Sequence, residues 1–209
     1  MWTIRFILLG VLVVSICGDP YLFRHRRQYE KLLENRIFNT IFVIVCHCLC
    51  FLIVGLPPAG GRNLRPGWLE YQSVRIGFPV IGVLLLCSGA LLAFAALKQR
   101  KFVVGMQDTE EGLLTSGLYR YFRHPIYTGM VWIYLGVPLI FRNPDGLLIF
   151  PALSALFFAE TIIEEKDDMC VRFHGQYQAY RQTTRRFGPI WLWSALVLVL
   201  LALIALGSP

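Results

Sequence analysis

Six apolar runs dominate this 209-residue chain and limit the folds that are open to it. The runs are 12 to 21 residues long and cover, in chain order, residues 6–17, 37–56, 77–97, 125–141, 146–163 and 190–206. An apolar helix of about 20 residues crosses a hydrocarbon core roughly 30 Å thick. Hydrophobic residues make up 56% of the chain and charged residues 16%, a composition typical of membrane proteins. The sequence therefore predicts an all-α integral membrane protein with about six transmembrane helices, or five if the first is absent.

The basic residues predict how these helices are oriented. Fifteen of the twenty Lys and Arg residues fall in three connectors, at 19–36, 98–124 and 164–189. If all six runs cross the membrane, these connectors share one side, which the positive-inside rule makes cytoplasmic. No A-x-A-like cleavage site follows the first run, so we expect an uncleaved span from Met1 to about Cys17, ended by Gly18–Pro20. The net charge of +7 thus reflects membrane orientation, and we expect no nucleic acid partner.

The second run contains the sequence CHCLC, which invites a metal-site interpretation. On a helix, positions two apart point to opposite sides, so only Cys46 and Cys50 share a face. No second histidine lies three or four residues from His47. We therefore expect buried thiols, a packed or hydrogen-bonded His47, and no metal site.

The fourth and fifth runs are separated only by the sequence RNPD at residues 142–145. Asn, Pro and Asp favour tight turns, so the two runs predict an antiparallel helical hairpin. Such a hairpin returns the end of its second helix to the side where the first began. The residues before Pro125 and the acidic pair Glu164 and Glu165 are therefore expected at the same cytoplasmic face.

The segment LLTSGLYRYFRHPIYTG, residues 113–129, carries the densest chemistry of the chain. Proline is favoured in the first turn of a helix, so Arg123 and His124 are expected just outside a helix that begins at Pro125. A helix amino terminus with two cationic side chains suits a carboxylate or phosphate. Tyr119 and Tyr121 offer aromatic faces for a flat ring or a sulfonium cation. An anchor at the lipid headgroups is the alternative interpretation.

Glu164 and Glu165 follow the fifth run directly. Paired carboxylates at a helix carboxyl terminus oppose the helix dipole, so we expect a compensating cation. That cation is a basic residue of the protein, a ligand, or both. An exposed acidic patch is the alternative.

The segment 113–129, together with the Glu-Glu pair and the tail FHGQYQAYRQTTRRFGP, resembles the isoprenylcysteine carboxyl methyltransferase family of integral membrane enzymes. The resemblance extends roughly from Val103 to Pro189, and the first three runs match only in general character. It implies a scaffold of three spans at 1–102, a methyltransferase-like catalytic region at 103–189 and a last span at 190–209.

The resemblance implies a cytoplasmic pocket for S-adenosylmethionine, roofed by the polar tail. By matched position, the residues implied to bind the cofactor are Leu113, Leu114, Tyr119, His124, Pro125, Tyr127 and Glu165. Catalytic roles are implied for Glu164 and for Arg123, which would orient the cofactor carboxylate or the acceptor. The implied acceptor is lipophilic, such as the carboxylate of a prenylated cysteine, and enters between helices from the lipid.

Several other functions remain open at this point. Residues 159–163 occupy the region where the eukaryotic enzymes are expected to carry a substrate-associated arginine, so a lipid amine or a small thiol is also an acceptable methyl acceptor. An NADPH-dependent sterol reductase shares the hairpin, but this chain has Ile126 and Met130 where that motif has asparagine and an acid. A non-enzymatic adaptor that binds anionic lipid would explain the basic connectors. The spans show no specific dimer face.

Overall fold

The computed structural model describes residues 2–24, 36–57, 66–101 and 112–206. Within these residues the protein is helical and contains no β-strand. The α-helices are α1 (Trp2–Arg24), α2 (Arg36–Gly55), α3 (Gln72–Gln99), α4 (Pro125–Ile140), α5 (Pro144–Glu164), α6 (Cys170–Thr183) and α7 (Ile190–Ala205). Two 3₁₀ turns, Gly67–Glu70 and Gly117–Arg120, and one π turn, Glu165–Met169, complete the regular structure. The predicted all-helical class is confirmed, and each predicted run lies on a helix.

Two helical segments of the described chain are long and apolar enough to cross a membrane. They are α3 and the continuous segment Pro144–Thr183, which begins with α5. The other apolar helical stretches are shorter, at Trp2–Val14, Ile44–Gly55, Pro125–Ile140 and Ile190–Ala205. The six runs are thus confirmed as helices but not as six crossings. Large apolar side chains cover much of the outer surface, and α7 buries none of its residues, which is typical of a surface that contacts lipid or a partner.

Helices α3 and α4 approach each other closely through two pairs of glycines. Gly82 faces Gly136, and Gly89 faces Gly129. A Cβ atom added to any of the four would lie 2.5–2.7 Å from the backbone oxygen of its partner, closer than real Cβ atoms lie. Small residues allow this backbone contact between membrane helices. Gly82 and Gly89 therefore serve packing within the chain.

The predicted hairpin of α4 and α5 is present, and its turn is fixed by buried polar contacts. The Asn143 side chain accepts a hydrogen bond from the Gly146 amide at 3.3 Å and donates one to the Leu56 carbonyl at 2.7 Å. Arg5 is fully buried and pairs with Asp145 at 2.9 Å. The amino end of α1, the end of α2 and the hairpin turn therefore meet at one end of the molecule.

A second polar contact lies inside the helical bundle. The Nδ1 atom of His47 lies 2.6 Å from the hydroxyl of Tyr134 on α4. The Tyr134 ring stacks in turn on Phe157 of α5. The prediction of a packed, hydrogen-bonded His47 is confirmed.

Two predicted boundaries differ from the structure, and one helix was not predicted. Helix α1 continues through Gly18–Pro20 to Arg24, so the prediction that these residues end it is wrong. Proline fixes φ near the helical value and removes a single N–H group, so one proline need not end a helix that packing supports. Helix α3 begins at Gln72 rather than Gly77. The polar tail, for which no helix was predicted, contains α6.

Other predictions fall on residues that the structure leaves undescribed. Most of the basic connector 19–36 and the division at 102–103 lie outside the described residues. The division into scaffold, catalytic region and last span stays a prediction.

The glycine contact between α3 and α4 predicts a stability difference between two alanine substitutions. Gly89→Ala places a methyl group against the Gly129 carbonyl and should lower the free energy of unfolding by about 1–3 kcal/mol, the usual range for overpacking. Gly10→Ala is the control, because a Cβ atom at this helical glycine meets nothing within 4 Å. The control should leave stability unchanged or raise it by up to about 1 kcal/mol. Thermal unfolding in detergent measures both, and equal effects would contradict the packing assignment.

Candidate active site

The site begins with a 3₁₀ turn that rests on the end of α3. Gly117, with φ of 60°, lies against the Gln99 side chain, whose Oε1 accepts a hydrogen bond from the Leu118 amide at 3.2 Å. A residue with a Cβ atom would be strained in this conformation and would collide with Gln99. The turn therefore holds Tyr119, which is buried, at the end of α3.

Residues 184–189, which we call the strap, cross the start of α4. The Arg123 amide donates to the Arg185 carbonyl at 2.9 Å, and the His124 amide donates to the Arg186 carbonyl at 3.0 Å. Helix α4 begins at Pro125 with His124 as its N-cap residue, as predicted. The strap is thus paired with the two residues that precede the helix.

Side chains add further contacts between the polar tail and the segment before α4. The Tyr180 hydroxyl donates to the Tyr119 carbonyl, and the Thr184 hydroxyl donates to the Arg120 carbonyl at 3.3 Å. In the strap, Gly188 has φ of 77° and lies against the Phe122 ring. The strap therefore packs along the whole segment from the 3₁₀ turn to the helix start.

A single carboxylate, that of Glu165, lies at the centre of the cluster. Its side chain is only 3% exposed. Oε1 accepts from Arg123 Nε at 3.1 Å and Arg186 Nε at 3.0 Å, and it lies 3.0 Å from His124 Nε2. Oε2 accepts from Arg186 Nη2 at 2.8 Å and from Arg123 Nη2 at 3.4 Å. Both oxygen atoms are therefore occupied by cationic partners from the helix start and the strap.

The neighbouring carboxylate, Glu164, has a different environment. It is half-buried, and its Oε2 lies 3.5 Å from His124 Nδ1. The His124 ring thus lies between two carboxylates, one on each nitrogen atom. The predicted cation for the acidic pair is confirmed, and it is supplied by side chains of the protein.

The helix does not end at the acidic pair. After Glu164 it continues through the π turn into α6, so the expected conflict between paired carboxylates and a free helix carboxyl terminus does not arise. The π turn buries two of its carboxylates, Glu165 and Asp168. Asp168 pairs with Arg172 at 2.6 Å. Single π turns within α-helices are frequent at functional sites.

Electrostatic interactions shift the pKa values of three groups around the carboxylates. Burial lowers the pKa of His124, but close contacts with the Glu164 and Glu165 carboxylates outweigh it, so the net pKa is raised. The pKa of Arg186 is raised, first by its hydrogen bond with Glu165. Burial raises the pKa of Tyr119 to about 12. The fold therefore favours a protonated His124 and a neutral Tyr119.

Two buried polar atoms of the cluster have no hydrogen-bond partner in the described part of the chain. They are the Tyr119 hydroxyl and Oε2 of Glu164. Arg100, at the end of α3, interacts electrostatically with both groups. Buried polar groups in folded proteins nearly always have partners. These two atoms are thus the positions where a ligand could complete the hydrogen bonding.

The structure brings together most of the residues singled out from the sequence. Arg123, His124, Glu164 and Glu165 are in direct contact, and Tyr127 packs edge-on against His124 with ring centroids 5.6 Å apart. Pro125 is buried at the start of α4, and Tyr119 is buried in the 3₁₀ turn that precedes this helix. Leu113 and Leu114 lie half-buried on the loop before the 3₁₀ turn. The cofactor-binding and catalytic roles of all nine remain predictions.

Sequence reasoning missed two residues of the cluster. Arg186 pairs with both oxygens of Glu165, although it was quoted only as part of the tail motif. Arg100 lies in the basic connector 98–124, and no residue-specific role was predicted for Arg100. The available signal was the acidic pair itself, because buried carboxylates need cations and hydrogen-bond donors around them.

The raised pKa of His124 predicts a pH-dependent contribution to stability. The pKa of His124 in the folded protein lies above its value of about 6.5 in the unfolded chain. The protonated side chain therefore stabilises the fold fully below about pH 6.5, and this stabilisation is lost as the pH rises through the pKa of the folded state. The difference in unfolding temperature between the natural protein and His124→Gln should therefore be largest near about pH 6 and shrink towards about pH 9. Thermal unfolding in detergent over this range measures it.

A second histidine provides the control for this experiment. His174 is exposed on α6, so His174→Asn should leave the pH profile of the natural protein unchanged. A His124→Gln difference that stays constant or grows with pH would contradict the protonated state.

The sequence is similar to proteins of known families. The sequence model of the phospholipid methyltransferase family matches residues 78–168, a range that includes His124, Glu164 and Glu165. Protein-S-isoprenylcysteine O-methyltransferase of Schizosaccharomyces pombe is 29% identical over 112 residues, which cover 54% of this chain and 47% of that protein. The Xenopus laevis protein of the same name is 30% identical over 129 residues, with 55% and 45% covered.

A relative whose name gives a different methyl acceptor also matches. Methanethiol S-methyltransferase 1 of Bradyrhizobium diazoefficiens is 30% identical over 80 residues, which cover 38% of this chain and 27% of that protein. The chain spans less than half the length of these three relatives. The comparisons confirm the resemblance that the motifs predict: over about half of its length, the chain is similar to protein-S-isoprenylcysteine O-methyltransferases.

Proposed function

We propose that this chain is an S-adenosylmethionine-dependent methyltransferase that acts on a lipophilic acceptor. The observation that carries the proposal is the pair of buried polar atoms without partners, on Tyr119 and Glu164, beside a cationic helix start. The methyltransferase names of the relatives support the reaction class.

The described residues fit this cofactor chemically. S-adenosylmethionine carries a sulfonium, an ammonium, a carboxylate, ribose hydroxyls and an adenine ring. Glu164 Oε2 offers a buried acceptor for a cation or a hydroxyl, and the Tyr119 hydroxyl can donate or accept. The amino end of α4 and Arg100 favour an anionic group. Leu113, Leu114 and Tyr127 would provide apolar contacts.

The chain's own residues would act by position and charge. When bound, the cofactor supplies a methyl group on a positively charged sulfur. Glu164 stabilises positive charge beside it, and His124 orients Glu164 through the contact at Nδ1. Burial strengthens these interactions because water does not screen them. A carboxylate or thiolate acceptor needs no general base, so alignment of the reactants provides most of the acceleration.

We further propose that the protein crosses the membrane several times with this site at the cytoplasmic face. The described parts of the basic connectors, residues 98–101, 112–124 and 164–189, meet at the site, whereas Arg5 and Asp145 lie at the opposite end of the hairpin. That distribution agrees with the positive-inside rule. Exposed apolar side chains along α3, α5 and α7 support contact with lipid. A lipophilic acceptor would then reach the site from the bilayer.

Two classes of acceptor are supported by observations. A prenylated or similar lipophilic carboxylate follows from the relatives that are named for isoprenylcysteine. A small thiol follows from the methanethiol S-methyltransferase relative. Tritium transfer from labelled cofactor to a farnesylcysteine analogue or to methanethiol distinguishes the two.

Binding of S-adenosylhomocysteine to the purified protein tests the cofactor. Glu164→Gln removes a buried charge while keeping the shape, and it should weaken binding roughly tenfold or more, as expected for loss of a charge-assisted hydrogen bond. Asp167→Asn is the matched control, because Asp167 lies in the neighbouring π turn outside the described cluster. Calorimetry in detergent, with NADPH titrated in parallel, measures the affinities.

The outcomes separate the proposed functions. Binding that Glu164→Gln weakens and Asp167→Asn preserves supports the methyltransferase. Binding of NADPH alone would favour a reductase. Binding of neither nucleotide by a correctly folded protein would contradict an enzyme with an adenosyl cofactor.

A further inference from the structure

The two adjacent carboxylates of the cluster are not equivalent. Glu165 uses both oxygens for Arg123, His124 and Arg186, whereas Glu164 keeps one buried oxygen without a hydrogen bond among the described residues. A carboxylate has about four lone-pair directions, and Glu165 has five contacts within 3.4 Å. Little capacity remains on Glu165 for a ligand.

The partners of Glu165 connect three separate segments. Arg123 lies before α4, Arg186 lies in the strap, and Glu165 itself begins the π turn after α5. All three nitrogen atoms of the Arg123 guanidinium are engaged, since Nη1 donates to the carbonyls of Thr184 and Arg181. Arg123 and Glu165 together therefore fasten the end of α6 and the strap to the hairpin.

The strap contacts depend on this fastening. The Arg123 and His124 amides pair with carbonyls of the strap, and Arg186 also lies over the Phe158 ring, 4.9 Å from its centre. If Glu165 loses its charge, Arg123 and Arg186 remain half-buried near each other without the carboxylate that pairs with both. Like charges in such a position repel, so the strap would separate from the helix start.

We propose that Glu165 is a positioning residue, a latch that holds the strap closed and so fixes His124 against Glu164. In this role Glu165 shapes the cofactor site without touching the cofactor. The inference rests on the proposed function for its consequence in catalysis, but the closed strap itself does not depend on any ligand.

Trypsin cleavage within the strap tests the latch in the full-length protein. Arg185 is exposed, and cleavage after Arg185 or Arg186 requires the strap to leave the helix start. The rate of cleavage tracks the population of the open form when opening is fast. Glu165→Gln should raise this rate at least about tenfold, and Glu165→Asp, which keeps the charge on a shorter side chain, should give an intermediate rate. Mass spectrometry of the fragments measures it.

Two controls separate the latch from general loss of structure. Asp167→Asn removes a carboxylate of the same π turn and should leave the cleavage rate unchanged. Arg123→Gln should raise the rate, and the double variant with Glu165→Gln should be cleaved no faster than the faster single variant, since both act through one contact. Circular dichroism should show unchanged helix content.

Ligand binding then distinguishes a latch from a direct cofactor contact. For a latch, Glu165→Gln weakens S-adenosylhomocysteine binding, and saturating ligand restores protection of the strap. Weakened binding with an unchanged cleavage rate in the absence of ligand would overturn the latch and make Glu165 a ligand. If the natural protein does not bind the adenosyl ligand, the proposed function fails, while the cleavage rates still decide whether Glu165 holds the strap.

Discussion

The burial of the Glu165 carboxylate is the constraint on which the candidate site depends. A carboxylate removed from water is costly unless cations and hydrogen bonds compensate it. Removing one partner from such a buried pair typically costs about 3–5 kcal/mol. The hairpin supplies Arg123 and His124, but the last cation, Arg186, comes from the tail. The most polar part of the chain therefore folds back over the start of α4, where Arg186 completes the hydrogen bonding of Glu165.

The opposite end of the hairpin is fixed by the same kind of interaction. There Arg5, fully buried, meets Asp145, the Ile53 carbonyl near the end of α2 and the Pro57 carbonyl that follows the helix. Between the two charged ends, α3 and α4 touch backbone to backbone at Gly82–Gly136 and Gly89–Gly129. Because the glycine pairs allow so little separation, a sliding motion of α4 would disturb both. The register that sets His124 opposite Glu165 is thus held by contacts at both ends and in the middle.

The sequence predicts the helices that lie on the six apolar runs, and it predicts four of the charged residues of the site. Long apolar runs can satisfy their backbone groups in lipid only as helices or barrels, and Pro125 marks the start of α4 because proline is favoured in a first turn. The charges around residues 123–124 and 164–165 were also predicted to meet. Their partners within the tail were not, because Arg186 is 21 residues from Glu165 and nothing local specifies that contact. The π turn and α6 likewise depend on tertiary packing, which outweighs local propensity.

Adjacent carboxylates with different surroundings can perform different tasks. Glu165 and Glu164 differ by a single position along the chain, yet one is saturated by two arginines and a histidine, and the other keeps a buried oxygen open. His124 contacts both carboxylates. Glu165 therefore fixes the position of the His124 ring, and the ring in turn orients Glu164. For a site proposed to receive a cationic cofactor, this arrangement has a physical advantage. The Glu164 carboxylate stays available to a ligand, because Arg123 and Arg186 direct their carboxylate hydrogen bonds to Glu165.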